Sequence, residues 1–165
     1  MTRQEFIAQI EGTQRAFRGF LTALCCGDSA MADDIAQEAY MKAYMACDSF
    51  KNPEKFKAWI YRIGYTTFID GKRSARPHVS YDDAKDVTDD SSSPHQQEER
   101  YHALYAALER LSANERTAIL LFYMQDYSIR EIAGIVHATE SAVKQHLSRG
   151  RQHLRGMLET RLSEI

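Results

Sequence analysis

The stretch IREIAGIVHATESAVKQHLSRGRQHL, residues 129–154, reads as two helices joined by a break of about three residues. Ser128 and Glu131 stand three apart at its start. At that spacing hydroxyl and carboxylate satisfy each other's backbone N–H groups as a capping box. His137 and Ala138 interrupt the periodicity, and Thr139 is placed to cap the second helix. Two helices of this size around so short a turn have the dimensions of a helix-turn-helix, although any helical hairpin shares them.

The second of these helices sorts its side chains by chemistry. At about 100° per residue, Val143, Leu147, Gly150, Leu154 and Met157 share one side, the side that must pack. Ser141, Gln145, Ser148 and Gln152 lie opposite. Lys144, Arg151 and Arg155 border one edge of that polar face; Arg149, His146 and His153 border the other. Amides and hydroxyls reach base edges in a major groove, and cations meet the phosphates on its walls. A merely solvated helix end, with cations complementing the macrodipole, would usually recruit acids for pairing. None occurs between Glu140 and Glu159, in a chain whose formal net charge is −2.

Towards the N-terminus, Ser112 and Glu115 form another capping box before ERTAILLFYM, and Tyr101, Leu104, Leu108 and Leu111 mark a helix before that. The preceding segment differs in kind. Residues 81–99 carry one basic and seven acidic side chains, a balance of −6 that accounts for the negative total. PHVSYDDAKDVTDDSSSPHQQEE, residues 77–99, has two prolines, a serine run and few apolar side chains. It cannot bury enough surface to offset its ordering entropy and is expected to be a flexible acidic linker spanning on the order of 25 Å.

Residues 1–76 again read as helical. Thr2 and Glu5 form a capping box, and Phe6, Ile10, Thr13, Phe17, Phe20 and Leu24 follow at helical spacing. CGDS breaks this helix, and a second starts near Asp28 or Ser29 and runs to about Cys47. Ile35, Ala39, Ala43 and Ala46 form its apolar stripe, while Asp33, Asp34, Gln37, Glu38 and Met41 gather on another face. Asn52 and Pro53 suit the cap and first position of a third helix, which Pro77 must end. The fold expected is therefore all-α, with two small helical domains, 1–76 and 100–165, joined by the linker 77–99.

Several function classes are excluded. No apolar run approaches the roughly 20 residues of a membrane span, no signal-peptide core is present, and a cytoplasmic protein is expected. Cys25, Cys26 and Cys47 lack C-x-x-C spacing and read as buried thiols rather than a disulfide or zinc framework. No phosphate loop, metal-binding signature or nucleophile setting is present, so neither an enzyme nor a cofactor is expected.

The region from LERLSANERTAILLFYM through the helix-turn-helix resembles region four of a bacterial RNA polymerase sigma factor of the extracytoplasmic-function (ECF) group. ADDIAQEAYMKAY and FKAWIYRIGYTTFIDGKRS resemble region two. The resemblance covers most of residues 5–158 and implies a protein that binds core RNA polymerase and directs promoter recognition and opening. It implies that Asp33, Asp34, Gln37, Glu38 and Met41 dock on the polymerase clamp helices. Phe50, in DSFKNPEKF, falls where an aromatic ring captures a flipped base of the −10 element. Lys55, Lys57, Arg62, Tyr65, Lys72 and Arg73 would contact −10 DNA, with Arg76 near the duplex. Aromatic rings interleaved with cations suit a single strand, and of these rings Trp59 is expected to be more buried than Tyr65. Ser141, Lys144, Gln145 and Ser148 would face −35 bases, with Arg130, Arg149, Arg151 and Arg155 on phosphates. AILLFYM would help grip the polymerase flap, the acidic linker would thread towards the active-site cleft, and an anti-sigma factor is a possible partner.

The chain departs from the family pattern at the turn, where His137 and Ala138 replace a glycine and a branched apolar residue. It also has Gly64 and Thr66 where a small residue and often an asparagine stand. Gly71 weakens the basic end of the third helix by roughly 1 kcal/mol relative to alanine. The alternative is a helix-turn-helix regulator with an N-terminal sensor domain, and a helical protein adaptor is a third class. Exposed aromatic and basic residues between Phe50 and Arg76 distinguish them, since a sensor has no need of these.

Overall fold

Local capping chemistry sets the helix starts. In the computed structural model, which describes residues 1–74 and 94–163 and the side chains of 1–72 and 101–157, Thr2 and Glu5 exchange backbone hydrogen bonds of 3.2 and 2.8 Å at the head of α1 (Arg3–Leu24). Asp28 caps α2 (Ser29–Ala46) by accepting from the Met31 N–H. Asn52 and Pro53 take the expected cap and first positions, but of a short 3-10 turn, Pro53–Lys55, and the Asn52 side chain makes no capping bond. The α-helix proper, α3, is Phe56–Ser74, anchored at its first residue by the fully buried Phe56. Residues 75–93, which include Arg76, Pro77 and most of the expected linker, lie outside the described residues, as does the side chain of Arg73. Residues 94–99, expected to be linker, are helical: α4 is Pro94–Glu109, with proline at a position whose N–H needs no partner.

The other two capping boxes form as well. Ser112 and Glu115 open α5 (Ala113–Ile119), and Ser128 and Glu131 open α6 (Ile129–Val136). Residues 120–124 prolong α5 as a wider π turn, closed by the Gln125 N–H on the Leu120 carbonyl at 3.2 Å. His137 ends α6 in the left-handed conformation, at φ 54° and ψ 47°. Thr139 then caps α7 (Glu140–Ser163) through the Ala142 N–H at 3.1 Å.

Packing follows the apolar faces. Phe6, Phe17, Phe20 and Leu24 of α1 meet Ile35, Ala39 and Ala43 of α2 and Phe56, Ile60 and Phe68 of α3. Phe17 abuts Gly64 so closely that a Cβ there would lie 2.7 Å from its ring, the packing reason for glycine at this point of α3. In the second domain Leu108, Ile119, Leu121, Ile132, Ile135, Val143 and Leu147 form the core. Gly150 lets α7 approach α5, since a Cβ would sit 2.8 Å from Ile119 Cγ1. Among the described residues there is no strand.

The two domains touch, and a buried cation joins them. The Arg116 guanidinium donates to the carbonyls of Leu108 (2.8 Å) and Leu111 (3.2 Å) at the end of α4, and to that of Leu24 (2.9 Å), the last residue of α1. Helix C-termini present unsatisfied carbonyls and the negative end of the dipole, so backbone oxygens suit this cation as partners. The burial of a charge at a domain contact is tolerable only with such complete hydrogen bonding.

Candidate polymerase and nucleic-acid interface

On α2, Ile35, Ala39 and Ala43 of the apolar stripe are buried, Ala46 is half-buried, and the polar face is turned outward. Asp33 pairs with Arg18, and Glu38 with Lys42 at 2.9 Å; Asp34 and Gln37 are exposed with no polar partner among the described residues. Exposed pairs of this kind contribute ~0–1 kcal/mol, so their carboxylates can exchange partners at little cost. Met41 is 65% exposed, and beside it Met45 is 82% exposed. Tyr44, with the Arg3 guanidinium 5.0 Å above its ring, is exposed too. The sequence reading missed Tyr44 and Met45, although the spacing 41, 44, 45 opposite the alanines was there to be read. An adaptable thioether surface ringed by acids suits a protein partner.

The aromatic cluster of the −10 candidates is built around Phe50. Its ring stacks on Trp59 at 4.2 Å and 12°, edge-on to Phe56 at 6.3 Å. Phe50, Trp59 and Tyr65 are all half-buried, so Trp59 is not the mostly buried ring that the sequence led one to expect. Lys55 and Arg62 are exposed. Lys57 holds its ammonium 5.8 Å from the Tyr127 ring of the second domain, and Lys72 lies 5.0 Å from the Phe68 ring. Tyr61 is fully buried and donates to Gln125 Oε1 at 2.6 Å; burial, with Tyr127 and Tyr40 nearby, pushes its hydroxyl pKa up.

On α7 the sorting expected from the sequence is present. Val143, Leu147 and Gly150 are buried, while Ser141, Lys144, Gln145, Ser148, Arg149 and Arg155 are exposed. None of these six makes a side-chain hydrogen bond or ion pair among the described residues. Arg130 is exposed near the start of α6. Arg151 differs: its Nε donates to the Tyr123 hydroxyl at 2.7 Å and its guanidinium lies 5.8 Å from the rings of Phe122 and Tyr123. His153 meets Glu115 at 3.0 Å, tying α7 to the capping box of α5.

The cysteines are free; burial, with Asp28 nearby, pushes the Cys25 thiol up to about 12, as befits an inert core thiol. Among the described residues no cluster could hold a metal ion, and no helix is long and apolar enough to cross a membrane.

Residues 10–78 match the family "Sigma-70 region 2" and residues 101–154 the family "Sigma-70, region 4". The chain is 32% identical over 146 residues to the ECF RNA polymerase sigma factor SigW of Bacillus subtilis, covering 80% of this chain and 78% of that protein. It belongs to the ECF sigma factors. A second Bacillus subtilis relative, the ECF sigma factor SigM, is 29% identical over 133 residues, covering 79% of this chain and 81% of the relative. The sigma factor RpoE, solved with the anti-sigma factor NepR from Bartonella quintana, is 27% identical with a TM-score of 0.76, over 94% of this chain and 98% of that one. CnrH, solved with the cytosolic domain of CnrY, shares the fold at 21% identity and a TM-score of 0.72, over 96% of this chain and 90% of that one. ECF sigma factors act in transcription initiation and are not enzymes, and the match of residues 10–78 to region 2 sets aside the sensor-domain alternative.

Proposed function

We propose that this sigma factor divides its work among three surfaces, two on the domain 1–76 and one on the domain that begins with α4. Asp33, Asp34, Gln37, Glu38 and Met41 dock α2 on the clamp helices of core polymerase, with Tyr44 and Met45 extending that surface. Phe50 holds a flipped base of the −10 element against the Trp59 stack, and Lys55, Lys57, Arg62, Tyr65, Lys72 and Arg73 hold the adjoining strand. In the −35 duplex, Ser141, Lys144, Gln145 and Ser148 read base edges, and Arg130, Arg149 and Arg155 meet phosphates. Arg151 joins them on releasing Tyr123. The protein works in the cytoplasm, where the polymerase is, and an anti-sigma protein that holds the two domains is a further partner. That partner draws support from the solved relatives crystallised with NepR and CnrY.

The observation that carries the reading is α7, with a packed side, an opposite face of unbonded hydroxyl and amide groups, and free cations beside it. The test is transcription. With core polymerase and a fork template, the protein should give promoter-dependent RNA. Binding to a duplex operator alone, with no transcript from core enzyme, would refute it.

A further inference from the structure

Thiol and thioether sulfur are placed in opposite ways in this chain. Cys25 and Cys47 are buried. Cys26 is half-buried, and burial raises its thiol pKa as it does that of Cys25. Peroxides react with the thiolate and not with the thiol, so all three cysteines are poor targets. A thioether has no proton to lose, and its reactivity follows exposure. Of the six methionines, Met1, Met31 and Met157 pack against the core, and Met124 is 46% exposed. Met41 and Met45 stand further out than any of these, at 65% and 82%. Four residues apart on α2, they share a face with Tyr44 and Glu38. The sulfurs most open to an oxidant thus lie on the face assigned to polymerase.

We propose that Met41 and Met45 are an oxidative modification site, where peroxide forms methionine sulfoxide and thereby weakens the docking of α2 on core polymerase. This rests on the docking role proposed for that face. In the step, a sulfur lone pair attacks one peroxide oxygen, an S–O bond forms and the O–O bond breaks. The sulfur gives up two electrons, and the second oxygen leaves as water with the proton of the transferred one. The product carries a strong hydrogen-bond acceptor where an adaptable apolar contact stood. Burying that oxygen against a partner without a donor is unfavourable. Glu38 has no donor to offer, and the Lys42 ammonium is already held by Glu38 at 2.9 Å and Thr67 at 3.2 Å. Methionine sulfoxide reductases restore the thioether, so the change is reversible. Docking covers the same two sulfurs, and the oxidant therefore acts on the free protein and spares the fraction already on core polymerase.

The experiment treats the full-length protein with hydrogen peroxide and follows it by peptide mass mapping. Met41 and Met45 should each gain one oxygen before Met124 does and before any cysteine loses its thiol, with helix content by circular dichroism unchanged. Affinity for core polymerase, read by anisotropy of the dye-labelled protein, should fall about tenfold. Methionine sulfoxide reductase with its thiol reductant should restore it. The double variant Met41→Leu, Met45→Leu, compared with itself before treatment, should lose no affinity to peroxide. Oxidation of a cysteine ahead of the two methionines would overturn the modification. So would an equal loss of affinity in the double variant, since another group would then be responsible. The docking reading is tested by the same mapping on the complex with core polymerase, where both sulfurs should be shielded. Shielding there, with undiminished affinity after oxidation, overturns the modification alone. Equal oxidation in the complex and in the free protein overturns the docking reading, and the modification with it.

Discussion

Phe50 lies with one ring face on Trp59, so its orientation is set before any nucleic acid arrives. A preorganised ring costs less ordering on binding than a free one. Stacking contributes about 1–3 kcal/mol per base. Phe50→Ala should therefore lower open-complex formation on a fork template about tenfold or more, with duplex binding little altered; permanganate reactivity of the melted strand would measure it. Arg149, exposed and unbonded, is a different case. Its replacement by alanine should weaken binding to the −35 duplex almost equally for all sequences and reduce the magnitude of the salt slope by about 1, read by titration across salt concentrations. Loss of discrimination among −35 sequences would instead move Arg149 to the base-reading group. The placement of such side chains was legible in the sequence because it depends on residue type and helical face. Arg151 was legible only in part: its cation was evident, but not its bond to Tyr123, which is 28 residues away.

Helix starts were equally legible. Three capping boxes act within four residues of chain, and all three form. Asn52 caps by position but without a side-chain bond, and the turn it opens is 3-10 before α3 begins at the buried Phe56. The departure at His137 is explained by its backbone. The residue is left-handed, and histidine tolerates that region better than branched residues do. Between elements, close approach decides. Gly150→Ala would gain up to about 1 kcal/mol of helix propensity, but its Cβ would meet the buried side chain of Ile119 at 2.8 Å. Overpacking costs about 1–3 kcal/mol, so the variant should unfold earlier in urea and bind −35 duplex less well in proportion to the folded fraction. A stability equal to that of the unaltered protein would show that α5 and α7 can separate freely.

At the scale of the whole molecule, the Arg116 side chain joins three helices through backbone carbonyls. Removing it takes a donor from the carbonyls of Leu24, Leu108 and Leu111, of which Leu108 keeps the Leu111 N–H, and opens space where α1, α4 and α5 meet. Arg116→Met should cost about 3 kcal/mol, measured by chemical denaturation, and loosen both the α4–α5 junction and the domain contact. Hydrogen exchange that rises only in α4 and α5, with α1 unchanged, would mean that the Leu24 bond contributes nothing. Tyr61 is fully buried because Phe17 and Phe20 of α1 and Tyr127 of the second domain all pack on its ring.

The sequence by itself determined the helices, their buried faces, the order of the two domains and the polar face of α7. These follow from periodicity and capping, which act over one or two turns. Tertiary structure decided how the two domains meet and which side chains their contact takes up. The Tyr61–Gln125 hydrogen bond joins residues 64 apart, and the Arg116–Leu24 bond residues 92 apart. No local pattern encodes such pairs, because they exist only once two packed domains are brought face to face.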